Sequence, residues 1–168
     1  MFTTNGYREA VMLFSVLSRG EIELFPNDVH VPHVIISITN PGSRPAVIKE
    51  NEYTLDVLRL SFEDEEDTEK AGWDIRRLEA WEKHFGPWRP FRKADAEAIR
   101  DLVASCEPEA VIVHCEAGIS RSAATAAALA KHYNGDDRVF WMMPRYNPNK
   151  LVYRVLLDVL RGESCIFR

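Results

Sequence analysis

The sequence predicts an α/β fold, with a parallel or mixed central sheet flanked by helices. Three observations point there. Short runs rich in β-branched and other apolar residues recur along the chain, each too short for a helix. Longer segments with apolar residues at helical spacing separate them, the pattern of helices packed on a mostly parallel sheet. One run also passes through a glycine-containing loop straight into an alanine-rich helix, a unit that sets a binding loop at a strand's carboxyl end.

Taken in order, residues 11–17 are nearly continuous apolar and suit a buried strand, although an N-terminal helix also fits. Residues 18–25 form a short helix. Residues 34–39 are the clearest strand, stopped by Asn40-Pro41-Gly42-Ser43-Arg44-Pro45. Residues 55–62 give the third strand and 109–114 the fourth. Between them lies a helix over 94–105, with Ala98, Ile99, Leu102 and Val103 facing inward. The alanine-rich helix covers 122–133, and Asn134-Gly135 ends it with residues that tolerate the left-handed conformation. Pro148-Asn149 opens the last helix, 150–161, with Asn149 as its N-cap. These two residues serve packing and capping.

Residues 70–91 carry Trp73, Trp81, Phe85 and Trp88 among basic residues. Ile75, Leu78, Trp81 and Phe85 recur at helical spacing, which predicts an inserted amphipathic helix covering the core. A lid or recognition element beside the preceding acidic run is the alternative. Gly86-Pro87-Trp88-Arg89-Pro90 breaks the chain before the next helix.

Composition narrows the class. A chain of 168 residues, 46% hydrophobic and 28% charged, suits one soluble domain spanning 1–168. The net charge of −5 argues against a nucleic-acid binder. The apolar run at 11–17 is too short to span a membrane and lacks a signal-peptide cleavage site. Cys106, Cys115 and Cys165 show neither metal-ligand spacing nor a disulfide framework, which implies a reducing cytoplasm. His30, His33, His84 and His132 show no ligand pattern either.

The chemistry concentrates at 111–122, Val-Ile-Val-His-Cys-Glu-Ala-Gly-Ile-Ser-Arg-Ser. Cys115 stands between a strand end and a helix start, where backbone N–H groups converge and the helix dipole is positive. Such a place cradles a phosphate and favours a thiolate by the same physics. Gly118 can take positive φ, so that successive N–H groups curl inward as a nest. Arg121 suits a bidentate grip on two phosphoryl oxygens better than lysine would. Ser122 can donate its hydroxyl to the sulfur of Cys115. His114 points to the opposite face of the strand, so it supports the loop through hydrogen bonds rather than acting as a base.

His114-Cys115-x5-Arg121-Ser122 resembles the signature loop of the cysteine-dependent protein tyrosine and dual-specificity phosphatases. The likeness includes the strand before the loop, its central glycine and the helix after it. It extends over about residues 54–161, and the chain's length suits the dual-specificity class. Pro148-Asn149 and the helix after it are similar to small bacterial members of the superfamily. The resemblance implies a dual-specificity-phosphatase-like sheet and a hydrolase that needs no metal or cofactor. It also implies an acid on a loop after an earlier strand, to protonate the leaving oxygen. Here residues 63–69 follow that strand and six of the seven are acidic. Aligning the strand end puts the acid at Asp64, with Asp67 the competitor and Glu63 a distant one. A solvated acidic face explains the rest of the run.

The implied reaction has two steps through a phosphocysteine. Cys115 attacks phosphorus while Asp64 protonates the leaving group. Arg121 and the N–H groups of Glu116, Ala117, Gly118, Ile119, Ser120 and Arg121 hold the equatorial oxygens. Water activated by Asp64 then releases phosphate, and Ser122 eases the departure of sulfur. A phosphorylated protein, first of all a phosphotyrosine, or a small phosphoester is the expected substrate. Positions 116 and 119 carry no lysine, which disfavours highly charged inositides. Two other readings use the same loop. One is an inactive phosphate-binding module that reads phosphorylated partners. The other is a thiol relay such as arsenate reduction, which needs Cys106 or Cys165 within reach.

Overall fold

The computed structural model describes residues 11–66, 75–86 and 88–162. Asp67, Trp73 and Cys165 lie outside them, as do the side chains of Ile75, Leu78 and Phe85. The elements run β1 (Leu13–Ser18), α1 (Arg19–Leu24), β2 (His33–Thr39), β3 (Thr54–Ser61) and α2 (Ile75–Phe85). Then come α3 (Lys93–Cys106), β4 (Ala110–Cys115), α4 (Arg121–Asn134), α5 (Arg138–Met142) and α6 (Lys150–Arg161).

The strands order as β1-β4-β2-β3, and every pairing among them is parallel. Of the two sheet types expected, the parallel one forms, and residues 13–18 are a strand rather than a helix. Parallel sheets covered on both faces need strands that are apolar on both sides. β2 and β4 meet that demand and are buried along their whole length, whereas β1 and β3 form the partly exposed edges.

Alternation within the strands splits the core in two. Ile36, Ile38, Val111 and Val113 face the helical layer, where Ile99 of α3, Leu129 of α4 and Leu156 of α6 are fully buried. Ile35 and Ile112 face the other way, against Ile22 of α1 and Ala46. Burying one such side chain contributes about 1.5–3 kcal/mol. Helix α4 is buried on all sides, and its alanines let it lie close to β4, β1 and α6. Its last residue, Asn134, exchanges two hydrogen bonds with the backbone of Met12, at 3.0 and 2.9 Å. That pairing ties the end of α4 to the chain entering β1.

Helix α5 escapes the sequence pattern because five residues are too few to show a period. It is held instead by Asp137, which accepts from the Trp141 indole at 2.8 Å and the Tyr153 hydroxyl at 2.7 Å. Burial, reinforced by that carboxylate, pushes the Tyr153 phenol up to about 12. Helix α2 falls inside the stretch expected to be helical. The chain after it returns to the acidic run: Trp88 N–H donates to the Glu82 carboxylate at 3.0 Å, and Glu63 N–H donates to the Arg89 carbonyl at 2.8 Å. Arg89 in turn forks onto Asp95 at the start of α3, at 2.9 and 2.8 Å.

Candidate active site

Cys115 is the last residue of β4, one of the two inner strands, and residues 116–120 join it to α4. The loop lies against the end of β1. Gly118 has φ +69°, and a Cβ there would stand 2.6 Å from the Ser18 nitrogen and 2.7 Å from the Leu17 carbonyl carbon. Only a residue without a side chain fits. From the other side Arg19 clamps the loop. Its N–H donates to the Glu116 carbonyl at 3.1 Å, and its guanidinium reaches the Glu116 carboxylate at 3.1 Å and the Arg44 carbonyl at 2.8 Å.

The sulfur is buried, with Cys115 2% exposed. Gly118 N–H points at it from 3.3 Å, and the Ser122 hydroxyl stands 3.0 Å away. Among the described residues, the amides of Glu116, Ala117, Ile119, Ser120 and Arg121 donate to no protein acceptor. A row of unspent donors at a helix start is an anion cradle.

Arg121, the first residue of α4, is held from the sheet side. Its Nη1 donates to the Asn40 side-chain oxygen at 2.7 Å and to the Phe62 carbonyl at 2.8 Å, which fixes the guanidinium plane. Its Nε is buried and has no protein partner. An orphaned buried donor costs about 1–3 kcal/mol, more when charged, and a bound oxyanion would satisfy it.

His114 lies on the opposite face, in register with Ser37 of β2. Its Nε2 meets the Ser37 hydroxyl at 2.7 Å and its Nδ1 faces the Cys115 carbonyl at 3.4 Å. A proton on Nδ1, with Ser37 donating to Nε2, is the assignment that satisfies both contacts. Burial holds the imidazole below its ordinary range, and Arg19 and Arg59 add to the effect. It is a neutral spacer under the loop.

Asp64 is exposed and anchored. Both the Ser120 hydroxyl and the Asn149 amide donate to its Oδ1, each at 2.8 Å. Oδ2 is thereby left as the oxygen open to a substrate. Glu65 and Glu66 dock on the start of α6: Asn149 also donates to the Glu65 carbonyl at 3.2 Å, and Lys150 N–H donates to the Glu66 carboxylate at 2.9 Å. Asn149 still caps its helix, its Oδ1 accepting from Val152 N–H at 3.0 Å.

The structure thus brings Cys115, Arg121, Ser122 and the loop amides together and ties Asp64 to them through Ser120. Arg44, Arg89 and Arg145 are paired with Glu23, Asp95 and Glu21, and Arg92 precedes α3. Cys106 ends α3 beyond the amino end of β4, and six residues of strand span roughly 17 Å. That exceeds the Cα separation of about 7 Å that a disulfide allows, so Cys106 is no partner for Cys115 in a relay. Two residues went unread as site components. Asn40 looked like a strand stop and Asn149 like a cap, and each signal was true but incomplete. Among the described residues, no His, Cys, Asp and Glu side chains gather as a metal site, and no helix is long and apolar enough to cross a membrane.

A parallel sheet that presents a cysteine loop, its arginine and a helix start in this order is the framework of a cysteine-dependent phosphatase domain. The sequence pattern of protein-tyrosine phosphatases matches residues 11–136, and the chain belongs to that family. The match starts well before residue 54, where the signature-based likeness began, and stops short of α5 and α6. No curated protein sequence matches the chain. Two solved structures are similar to it. One is human tyrosine phosphatase-like serine/threonine/tyrosine-interacting protein, 21% identical over 77% of each chain, with a TM-score of 0.41. The other is PTPMT1, 18% identical over 89% of this chain and 88% of that one, with a TM-score of 0.45.

Proposed function

We propose that this protein is a phosphomonoester hydrolase of the tyrosine or dual-specificity type, acting through a phosphocysteine. The observation that carries the reading is what stands at the two ends of the loop: at one end a sulfur contacted by Gly118 N–H and the Ser122 hydroxyl, at the other the buried Nε of Arg121 without a protein partner.

On this reading the reaction has two steps. Cys115 as thiolate attacks phosphorus in line, the S–P bond forms and the P–O bond to the leaving group breaks. Asp64 delivers its proton from Oδ2 to the departing oxygen. Arg121 and the loop amides hold the equatorial oxygens, whose charge they stabilise without reorganising. In the second step Asp64 takes a proton from water, which attacks phosphorus and breaks the S–P bond. Ser122 donates to the sulfur as it regains its charge. An aryl leaving group is the easier to expel, which favours phosphotyrosine. A thiolate nucleophile also requires a reducing compartment, and we assign the protein to the cytoplasm on that ground.

The test is hydrolysis of an aryl phosphate in the presence of chelator. Cys115→Ser is expected to lower turnover roughly a thousandfold or more. Asp64→Ala is expected to lower it roughly 10²–10⁴-fold, with Asp67→Ala close to wild type. A larger loss at Asp67 would move the acid three residues along. No turnover by wild type, with phosphate still bound, would leave a phosphate-binding module instead.

A further inference from the structure

A second polar cleft lies on the sheet face away from the helical layer. Its volume is about 190 Å³, and Ser37, Thr39, Ser43, Arg59 and Ser61 line it with Pro45 and Leu60. Register explains the cluster: His114, Ser37 and Arg59 form one row across β4, β2 and β3, and Thr39 and Ser61 are paired two residues further on. Two adjacent rows of polar side chains thus meet on this face around Arg59.

Two features say what the cleft takes. Its lining contains one cation and no carboxylate. Among the described residues, Arg59 has a single partner, the Ala46 carbonyl at 3.0 Å, and forms no ion pair. Among the described residues, the hydroxyls of Thr39, Ser43 and Ser61, which line the cleft, make no hydrogen bond to protein. One guanidinium with three free hydroxyls matches a tetrahedral oxyanion, which accepts from every side. Size agrees, because pockets for drug-sized ligands hold roughly 300–1,000 Å³ and this one suits a group of a few atoms.

We infer that this cleft is an accessory oxyanion site that takes a phosphate group, separate from the loop at Cys115. Strands lie about 4.8 Å apart, so β3 runs roughly 10 Å from β4. The turn after β2 borders both places. Asn40 holds Arg121 through its side chain and accepts from Ser43 N–H at 3.1 Å through its carbonyl, and Ser43 lines the cleft. The phosphate has two sources, the second phosphoryl group of a doubly phosphorylated substrate or released inorganic phosphate.

The test is an NMR titration of the 168-residue chain carrying Cys115→Ser with inorganic phosphate. Two sets of amide shifts are expected, saturating separately: Gly118 and Ser120 in the loop, and Thr39, Ser43 and Ser61 in the cleft. Adding Arg59→Gln should abolish the second set and leave the first. Thr39→Val, which leaves Arg59 and its bond to Ala46 intact, should weaken the second set several-fold. Cleft amides that stay unmoved, or that respond alike with and without Arg59, overturn the inference. Loss of the loop set alone counts against the phosphatase reading and not against this one. A bisphosphorylated diol then separates the sources. Binding at least tenfold tighter than phosphate, and lost with Arg59→Gln, assigns the site to the substrate; equal affinity assigns it to free phosphate.

Discussion

Asn149 and Asp64, 85 positions apart, are joined by a 2.8 Å hydrogen bond from the amide of one to Oδ1 of the other. The same buried Asn149 caps α6. One side chain therefore aims the candidate acid and starts the helix that packs on α3 and α4.

The two duties of Asn149 separate by substitution. Asn149→Asp keeps an N-cap acceptor but loses the amide donor, and it sets a carboxylate against Asp64. Turnover should fall roughly tenfold or more for alkyl phosphates and far less for nitrophenyl phosphate, whose leaving group needs little protonation. Asn149→Ala should show the same selectivity and also lose about 1 kcal/mol or more of stability with the cap. Paired kinetics and urea melts measure both.

Ser122 stands 3.0 Å from the sulfur, and the proposed mechanism uses it only in the second step. Ser122→Ala should slow release of phosphate from the phosphocysteine while the first step proceeds. Stopped-flow assays with nitrophenyl phosphate should then show a burst of about one equivalent of phenolate per enzyme. A linear trace would remove Ser122 from the second step.

Gly118→Ala tests the seat of the loop. The added Cβ meets backbone atoms of Ser18 and Leu17, at 2.6 and 2.7 Å, and the backbone is at φ +69°. Neither can yield cheaply, so the loop must lift from β1. A loss of about 1–3 kcal/mol is expected in denaturant melts, with turnover reduced by more than the unfolded fraction explains.

His114 makes stability depend on pH. Burial depresses its pKa in the folded state, so the unfolded chain takes up this proton first as pH falls. Its contribution is complete above the unfolded value of about 6.5 and is lost as pH drops through the folded one. Urea midpoints should decline below that value in wild type. In His114→Gln, which keeps a polar group against Ser37, that part of the slope should vanish.

Most of the fold was legible because it rests on local pattern. β2 and β4 announce themselves by short runs rich in Val and Ile, and α4 by its alanines and the Asn134-Gly135 stop. The cysteine loop was legible for the same reason, since Cys115, Gly118, Arg121 and Ser122 lie within eight consecutive residues. What stayed hidden is non-local. The hold of Asn40 on Arg121 spans 81 positions, and that of Asn149 on Asp64 spans 85. Both asparagines satisfied a local rule, as turn and as cap, so nothing in their neighbourhood called for a second partner. The cleft at Arg59 was equally invisible, because its rows exist only once β2 and β3 are in register.

The strand order has a consequence for how the chain is made. β1 emerges first from the ribosome, yet it pairs only with β4, and β2 also waits for β4 on one side. The three strands and three helices that precede β4 must therefore be held without a complete sheet until that strand is synthesised. That closing strand is the one that ends in Cys115. A nascent or half-folded chain has no assembled loop at Cys115, so the phosphatase activity proposed above should appear only once the sheet is whole.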